Sequence, residues 1–280
     1  MKLCDLHTHS NFSDGSYTPT EIVNEACRIG LSAIALCDHN TVLGLPEFAR
    51  VAASSGIDFA SGCEFSVDYN GKELHILGLF IDPEHFERIS TTLAEFAAHK
   101  EASNVELFAA LNKAGYDIDL DTVKAKTAAG QVNRAHIAAE LTEKGYTASV
   151  KEAFSTLLSK KRGFYKEPKR LDAFDAIELI KSSGAIAVLA HPFLNLDEDG
   201  LRAFLPKAKS FGLDAMEVEY SLFNSDETAK AKALADEFSL LRSGGSDFHG
   251  SVKPDIFLGV GKGDLRIPYE YFEDLRAAKG

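Results

Sequence analysis

Nine side chains in this sequence have the chemistry of metal ligands, and their spacing groups them. His7 and His9 stand two apart in Asp5-Leu6-His7-Thr8-His9-Ser10, and Asp247 and His249 stand two apart in Ser246-Asp247-Phe248-His249. Residues two apart on a strand point to the same side, so each pair can reach one ion. His39 follows an apolar run in Cys37-Asp38-His39, and His191 follows another in Ala190-His191-Pro192. Asp14 sits in a polar loop just after His9. Glu64 and His75 lie on either side of Asn70-Gly71, a tight-turn signal. A two-residue hairpin there sets Tyr69 against Lys72 and Ser66 against His75, which brings Glu64 diagonal to His75 on one face. Nine ligands exceed what one ion can hold. Two or three divalent ions with a bridging carboxylate fit better. Mixed imidazole and carboxylate donors suit manganese foremost, with iron or zinc as alternatives.

The elements that must position these residues alternate. Strands are expected over 2–6, 33–37, 57–69, 72–81, 185–190, 214–219 and 240–242. Helices are expected over 18–30, 42–55, 172–183, 201–211 and 225–238. Thr18, Pro19 and Glu21 form an N-terminal helix signal. Most candidate ligands then fall at or just past the C-terminal ends of strands, the catalytic face of a β/α barrel. The stretch from about 86 to 160 reads as helical throughout, with helices over 93–111, 119–127, 134–144 and 150–158. The expected architecture is α/β, a distorted TIM-like barrel with a helical insertion; an open doubly wound sheet is the alternative. The catalytic barrel is assigned to 1–98 and 165–280, and the insertion, read as a substrate-binding cap, to 99–164.

Composition bounds the partners. The chain has 280 residues and a formal net charge of −12. That charge argues against long duplex nucleic acid, but a small anion remains accessible where bound cations reverse the local field. No apolar run approaches the ~20 residues needed to span a bilayer. The N-terminus turns polar too soon for a signal-peptide core, so a cytoplasmic location is expected. Cys4, Cys37 and Cys63 lie in apolar runs and read as reduced core thiols.

The pattern of His7-x-His9, Asp14, Asp38-His39, Glu64, His75, Ala190-His191-Pro192 and Gly245-Ser246-Asp247-x-His249 resembles the PHP (polymerase and histidinol phosphatase) family. The resemblance implies a distorted seven-stranded barrel with a trinuclear site. It implies a first ion on His7, His9, Glu64 and Asp247, a second on Glu64, His75 and His191, and a third on Asp14, His39 and His249. The segment from Gln131 through Arg134, His136 and Ile137 is similar to one in stand-alone PHP phosphoesterases acting on nucleotides or short RNA.

The expected activity is therefore hydrolysis of small nucleotides, such as a nucleoside 3′,5′-bisphosphate or AMP, by a hydroxide bridging two metals. A 5′-3′ exoribonuclease acting on short RNA, a histidinol-phosphate phosphatase and a C–N amidohydrolase are the alternatives. Glu64 is expected to bridge ions, and Asp247 or His249 to assist the leaving group. Asp38 is expected to orient an imidazole. Arg134, with His136, Lys161 and Arg162, is expected to bind substrate, since arginine matches phosphate bidentately.

Overall fold

The computed structural model describes residues 2–127 and 132–279. Its first elements are β1 (Cys4–Asp5), α1 (Pro19–Arg28), β2 (Ala33–Leu36), α2 (Leu45–Ser55), β3 (Asp58–Ser61), β4 (Cys63–Tyr69) and β5 (Lys72–Leu79). Four helices follow: α3 (Phe86–Lys113), α4 (Leu120–Ala125), α5 (Arg134–Glu143) and α6 (Val150–Ser155). Alternation then resumes with β6 (Leu171–Asp172), α7 (Ala173–Lys181), β7 (Ile186–Leu189) and α8 (Glu198–Ser210). The chain closes with β8 (Ala215–Tyr220), α9 (Ser225–Glu237), β9 (Leu241–Gly245) and α10 (Tyr269–Ala277). Two compact units result, Met1–Ser90 with Leu171–Gly280, and Thr91–Arg170. No described helix is long and apolar enough to cross a membrane.

The first unit is a ring of strands. One sheet has the order β1-β2-β3 and the other β6-β4-β5-β7-β8-β9. Only Gly62 separates β3 from β4, so the two are one bent strand shared by both sheets. The bend brings chains very close: a Cβ at Gly62 would lie 2.9 Å from both Cys37 Sγ and Gly78 O. At the other edge, Leu6 N donates to Gly244 O at 3.1 Å and Asp247 N to His7 O at 2.9 Å. These bonds close β9 onto β1. The ring therefore runs β1, β2, β3–β4, β5, β7, β8, β9, seven strands with β6 outside it as an edge extension of β4. β5 is antiparallel to both β4 and β7 and the other ring pairs are parallel.

Local chemistry explains the elements. Thr18 caps α1 in a capping box with Glu21, as the sequence signalled. Asn70 and Gly71 both have positive φ, 53° and 76°, the requirement of a two-residue hairpin of type I′. The hairpin register sets Ser66 opposite His75 and Tyr69 opposite Lys72, as expected. A core cluster including Leu6, Leu77, Leu79, Ile186 and Val188 fills the ring. Phe272 and Leu275 of α10 pack into the same cluster. Cys4, Cys37 and Cys63 are buried free thiols, and Cys27 is exposed.

The second unit has its own core, which includes Leu107, Leu111, Val123, Ile137, Leu141 and Leu158. Asn104 Nδ2 donates to Val132 O within it, at 3.0 Å.

Candidate metal centre

The ring brings eight of the nine sequence-identified side chains around the ninth, Glu64, or around its immediate neighbours. Its Oε2 lies 3.2 Å from His7 Nε2, 3.2 Å from His9 Nε2 and 3.0 Å from His39 Nδ1. Its Oε1 lies 2.7 Å from His75 Nδ1 and 3.0 Å from His191 Nε2. Asp247 Oδ1 stands 3.3 Å from His9 Nε2 and 3.9 Å from His7 Nε2. Asp14 lies on the far side of His9, with Oδ1 3.3 Å from His249 Nε2 and Oδ2 3.9 Å from His39 Nε2.

Among the described residues, three groupings have donor atoms close enough to share an ion: His9, Asp14, His39 and His249; His7, His9 and Glu64; and His39, Glu64 and His75. His191 is placed against Glu64 by its hydrogen bond, outside these groupings.

The donor atoms fit cations on physical grounds. His7 Nε2, both ring nitrogens of His9, His39 Nδ1, Asp14 Oδ1 and Glu64 Oε2 are buried without a hydrogen-bond partner among the described residues. Leaving so many buried polar atoms unpaired costs about 1–3 kcal/mol each. These atoms belong to residues whose donor atoms lie close enough together to share an ion.

Charge agrees with this. Burial alone would raise the Glu64 carboxyl, but the imidazoles of His39, His75 and His7 hold it well below the usual carboxylate range. Burial opposes ionisation of Asp14 and Asp247 too, and their neighbours (the imidazoles of His249 and His39 for Asp14, Lys253 and His249 for Asp247) hold both well below the usual carboxylate range. Burial and then Lys253 push His249 down to about 4. His9 and His75 go the other way: burial lowers them, but neighbouring carboxylates raise them to about 9 and about 10. Cations binding there would displace protons.

Further residues orient the ligands. Glu217, buried in the middle of β8, accepts from His7 Nδ1 at 3.0 Å and from His191 N at 2.7 Å. The first contact leaves the His7 Nε2 lone pair facing Glu64. His249 Nδ1 donates to Asp247 O at 2.8 Å, which leaves its Nε2 lone pair toward Asp14. Asp247 Oδ2 accepts from Tyr220 Oη at 2.8 Å and from Lys253 Nζ at 2.7 Å. Asp38 takes a different part from the one the sequence suggested. Its carboxylate accepts from Ser10 N and from the hydroxyls of Ser10 and Ser13, at 2.8, 2.6 and 2.6 Å. It thereby fixes the loop that carries Asp14.

Sequence reasoning missed Glu217, Tyr220 and Lys253. Glu217 had a readable signal, a carboxylate between Met216 and Val218 inside the strand Ala215–Tyr220. Glu217→Gln should weaken Mn²⁺ affinity about 10- to 100-fold, as read by competition with a chelator; unchanged affinity would remove Glu217 from the support of the site.

The residues expected to bind substrate all lie in the second unit. Arg134 opens α5, with its guanidinium 4.7 Å from the Tyr165 ring centroid and 5.7 Å from that of Phe154. His136 Nδ1 accepts from Asn133 N at 3.2 Å and so belongs to the capping box of α5. Lys161 and Arg162 lie in the short turn Lys160–Arg162 and are exposed. Gln131, which opens the segment containing Arg134, lies outside the described residues.

The PHP domain family matches residues 5–191 of this chain. A 5′-3′ exoribonuclease of Haemophilus influenzae is 36% identical over 249 residues, covering 89% of this chain and 90% of that protein. A 3′,5′-nucleoside bisphosphate phosphatase of Chromobacterium violaceum is 30% identical over 251 residues, covering 89% of this chain and 88% of that one. A solved structure described as a candidate metal-dependent phosphoesterase from Bifidobacterium adolescentis superposes with a TM-score of 0.87 at 26% identity, over 99% of this chain and 96% of that chain.

Proposed function

Because the chain belongs to the PHP family of metal-dependent phosphoesterases, we propose that it hydrolyses phosphate esters of small nucleotides, such as a nucleoside 3′,5′-bisphosphate or AMP. The observation that carries the hydrolytic reading is the convergence of unpaired, buried imidazole and carboxylate atoms on shared points around Glu64. The relative named as a nucleoside bisphosphate phosphatase supports the substrate class.

In this reading His7, His9, Glu64 and Asp247 hold one divalent ion. His75 and His191, with Glu64, hold a second, and Asp14, His39 and His249 a third. Manganese is the proposed metal. Such ions, when bound, supply an activated water and neutralise charge on the phosphoryl oxygens. Glu64 serves both sides of the cluster, with one oxygen toward His7, His9 and His39 and the other toward His75 and His191. Tyr220 and Lys253 hold the second oxygen of Asp247, so its Oδ1 stays on the cluster side. His249, with Nδ1 donating to a backbone carbonyl, is oriented as a ligand.

Residues 1–98 and 165–280 are proposed as the catalytic domain and 99–164 as a substrate-binding domain. There Arg134 is the proposed contact to a second phosphate. Arg134→Ala should then lower kcat/KM for adenosine 3′,5′-bisphosphate roughly 10- to 150-fold, the worth of a charge-assisted hydrogen bond. An aryl phosphate, which lacks the second group, should be much less affected. Equal losses on the two substrates would assign Arg134 to the reacting phosphate or to the fold.

A second reading, 5′-3′ exonuclease action on short RNA, is favoured by the 36% identity to the exoribonuclease. One experiment separates them: Mn²⁺-loaded protein assayed on AMP, adenosine 3′,5′-bisphosphate and short 5′-phosphorylated oligoribonucleotides. Faster turnover of the oligoribonucleotides would replace the first reading with the second. Turnover of none would overturn both.

A further inference from the structure

Rings lead outward from the metal centre to an apolar step at the ends of β7 and β8. The His191 imidazole lies 5.2 Å from the Tyr220 ring, and Tyr220 lies 5.2 Å from Phe223. Phe223 meets Phe193 at 5.6 Å with the planes inclined at 66°. Phe193 sits in the short turn Pro192–Leu194, next but one to His191. Phe223 sits in the turn after β8, closed by Phe223 N donating to Tyr220 O at 3.1 Å. Both phenylalanines are half-buried. Their chain neighbours Leu194 and Leu222 are each 47% exposed.

The barrel core does not explain this apolar surface, since neither phenylalanine belongs to the cluster that fills the ring. Nor does it suit a phosphate. The stretches Pro192-Phe193-Leu194-Asn195 and Ser221-Leu222-Phe223-Asn224 contain no lysine or arginine. The pocket that Phe223 lines also holds Lys232, but its ammonium is paired with Glu219, so the water-facing rings offer chiefly stacking and apolar contact. Stacking of this kind accepts any base, because each has a π face. The step continues directly from a ligand histidine, so a group joined through a sugar to the reacting phosphate would meet it.

We propose that Phe193 and Phe223 form the subsite for the base of a nucleotide whose phosphate reacts at the Glu64 cluster. The inference rests on the nucleotide reading above. Neither phenylalanine is a metal ligand, so their replacement leaves the hydrolytic machinery in place.

The test compares wild type, Phe193→Ala, Phe223→Ala and Phe223→Tyr with Mn²⁺. The substrates are AMP, or adenosine 3′,5′-bisphosphate if that is turned over faster, and ribose 5-phosphate, which has no base. Each alanine variant should lower kcat/KM for the nucleotide about 5- to 150-fold, the range measured for removing one stacking ring. The loss should appear in KM, with kcat, manganese content and ribose 5-phosphate turnover retained. Phe223→Tyr, which keeps the ring, should restore the nucleotide. An independent reading is the fluorescence of 1,N⁶-etheno-AMP, quenched by wild type and not by the double alanine variant, with metal removed by chelator. If nucleotides are turned over but the alanine variants match wild type, or lose both substrates alike, the subsite is overturned and the nucleotide reading stands. If wild type turns over ribose 5-phosphate and no nucleotide, the nucleotide reading falls and the subsite falls with it.

Discussion

Glu64→Ala is expected to lower kcat/KM for phosphoester hydrolysis about a thousandfold or more, equivalent to roughly 4 kcal/mol of transition-state stabilisation. Among the described residues, no other candidate carboxylate approaches as many of the candidate imidazoles. The two oxygens of Glu64 approach five imidazoles, those of His7, His9, His39, His75 and His191. Removing a terminal ligand such as His191 leaves the remaining donors facing one another as before. Removing Glu64 leaves five imidazoles around a gap, with no anion to offset two adjacent cations. Elemental analysis should therefore show the manganese content falling together with activity, from more than one ion per chain in wild type to one or fewer. Glu64→Gln, which keeps the shape without the charge, should fail in the same way. Full metal content with full turnover in either variant would take Glu64 out of the centre.

The second large effect is expected at a residue with no side chain. A Cβ on Gly245 would lie 2.1 Å from His7 Cβ and 2.7 Å from His7 N. Neither atom is the free end of a flexible side chain, so Gly245→Ala must push β9 away from β1. Overpacking of this kind costs about 1–3 kcal/mol and sometimes more. At ~2–4 °C per kcal/mol for a chain of this size class, the melting temperature should fall by about 2–12 °C. Activity should fall further than stability, because the displaced residue, His7, is itself a proposed ligand. A misplacement of about 1 Å at an active site costs on the order of a hundredfold. Thermal melts with and without Mn²⁺, with kinetics on the folded fraction, would measure both. A variant with wild-type melting and turnover would mean the seam can open without disturbing His7.

Much of this site is legible in the amino-acid sequence. His7 and His9 were readable because a two-residue interval on a strand has one geometric meaning. Glu64 and His75 were readable because Asn70-Gly71 fixes a hairpin register, and register fixes faces. The support around the ligands was harder to read. Glu217 lies inside a strand rather than at its end, and a break in register between Glu217 and Glu219 disturbs the alternation that would have marked its face. Tyr220 and Lys253 meet only through Asp247, a contact made by the loop after β9. The glycines at 244 and 245 suggested that the last strand ends at Arg242, yet β9 runs through them, since only glycine fits against His7 there. The helix α10 carries no side-chain cap at its start and is nine residues long, so little announces it locally.

The seam between β1 and β9 also bears on the order in which the protein is made. Two of the three ligand groupings among the described residues, His7-His9-Glu64 and His39-Glu64-His75, draw every donor from residues 7–75, which leave the ribosome well before β9 does. The strand that hydrogen-bonds to β1 and holds His7 in place ends only at Gly245. A nascent chain therefore displays six of its nine candidate ligands long before the barrel can close around them. Pairing between segments so far apart in sequence is intrinsically slow. Metal met during that interval finds histidines and carboxylates without their final geometry, and metal bound to an unfolded segment lessens what it later contributes to the folded one. Refolding denatured protein first and adding Mn²⁺ afterwards should therefore recover more activity than refolding in its presence.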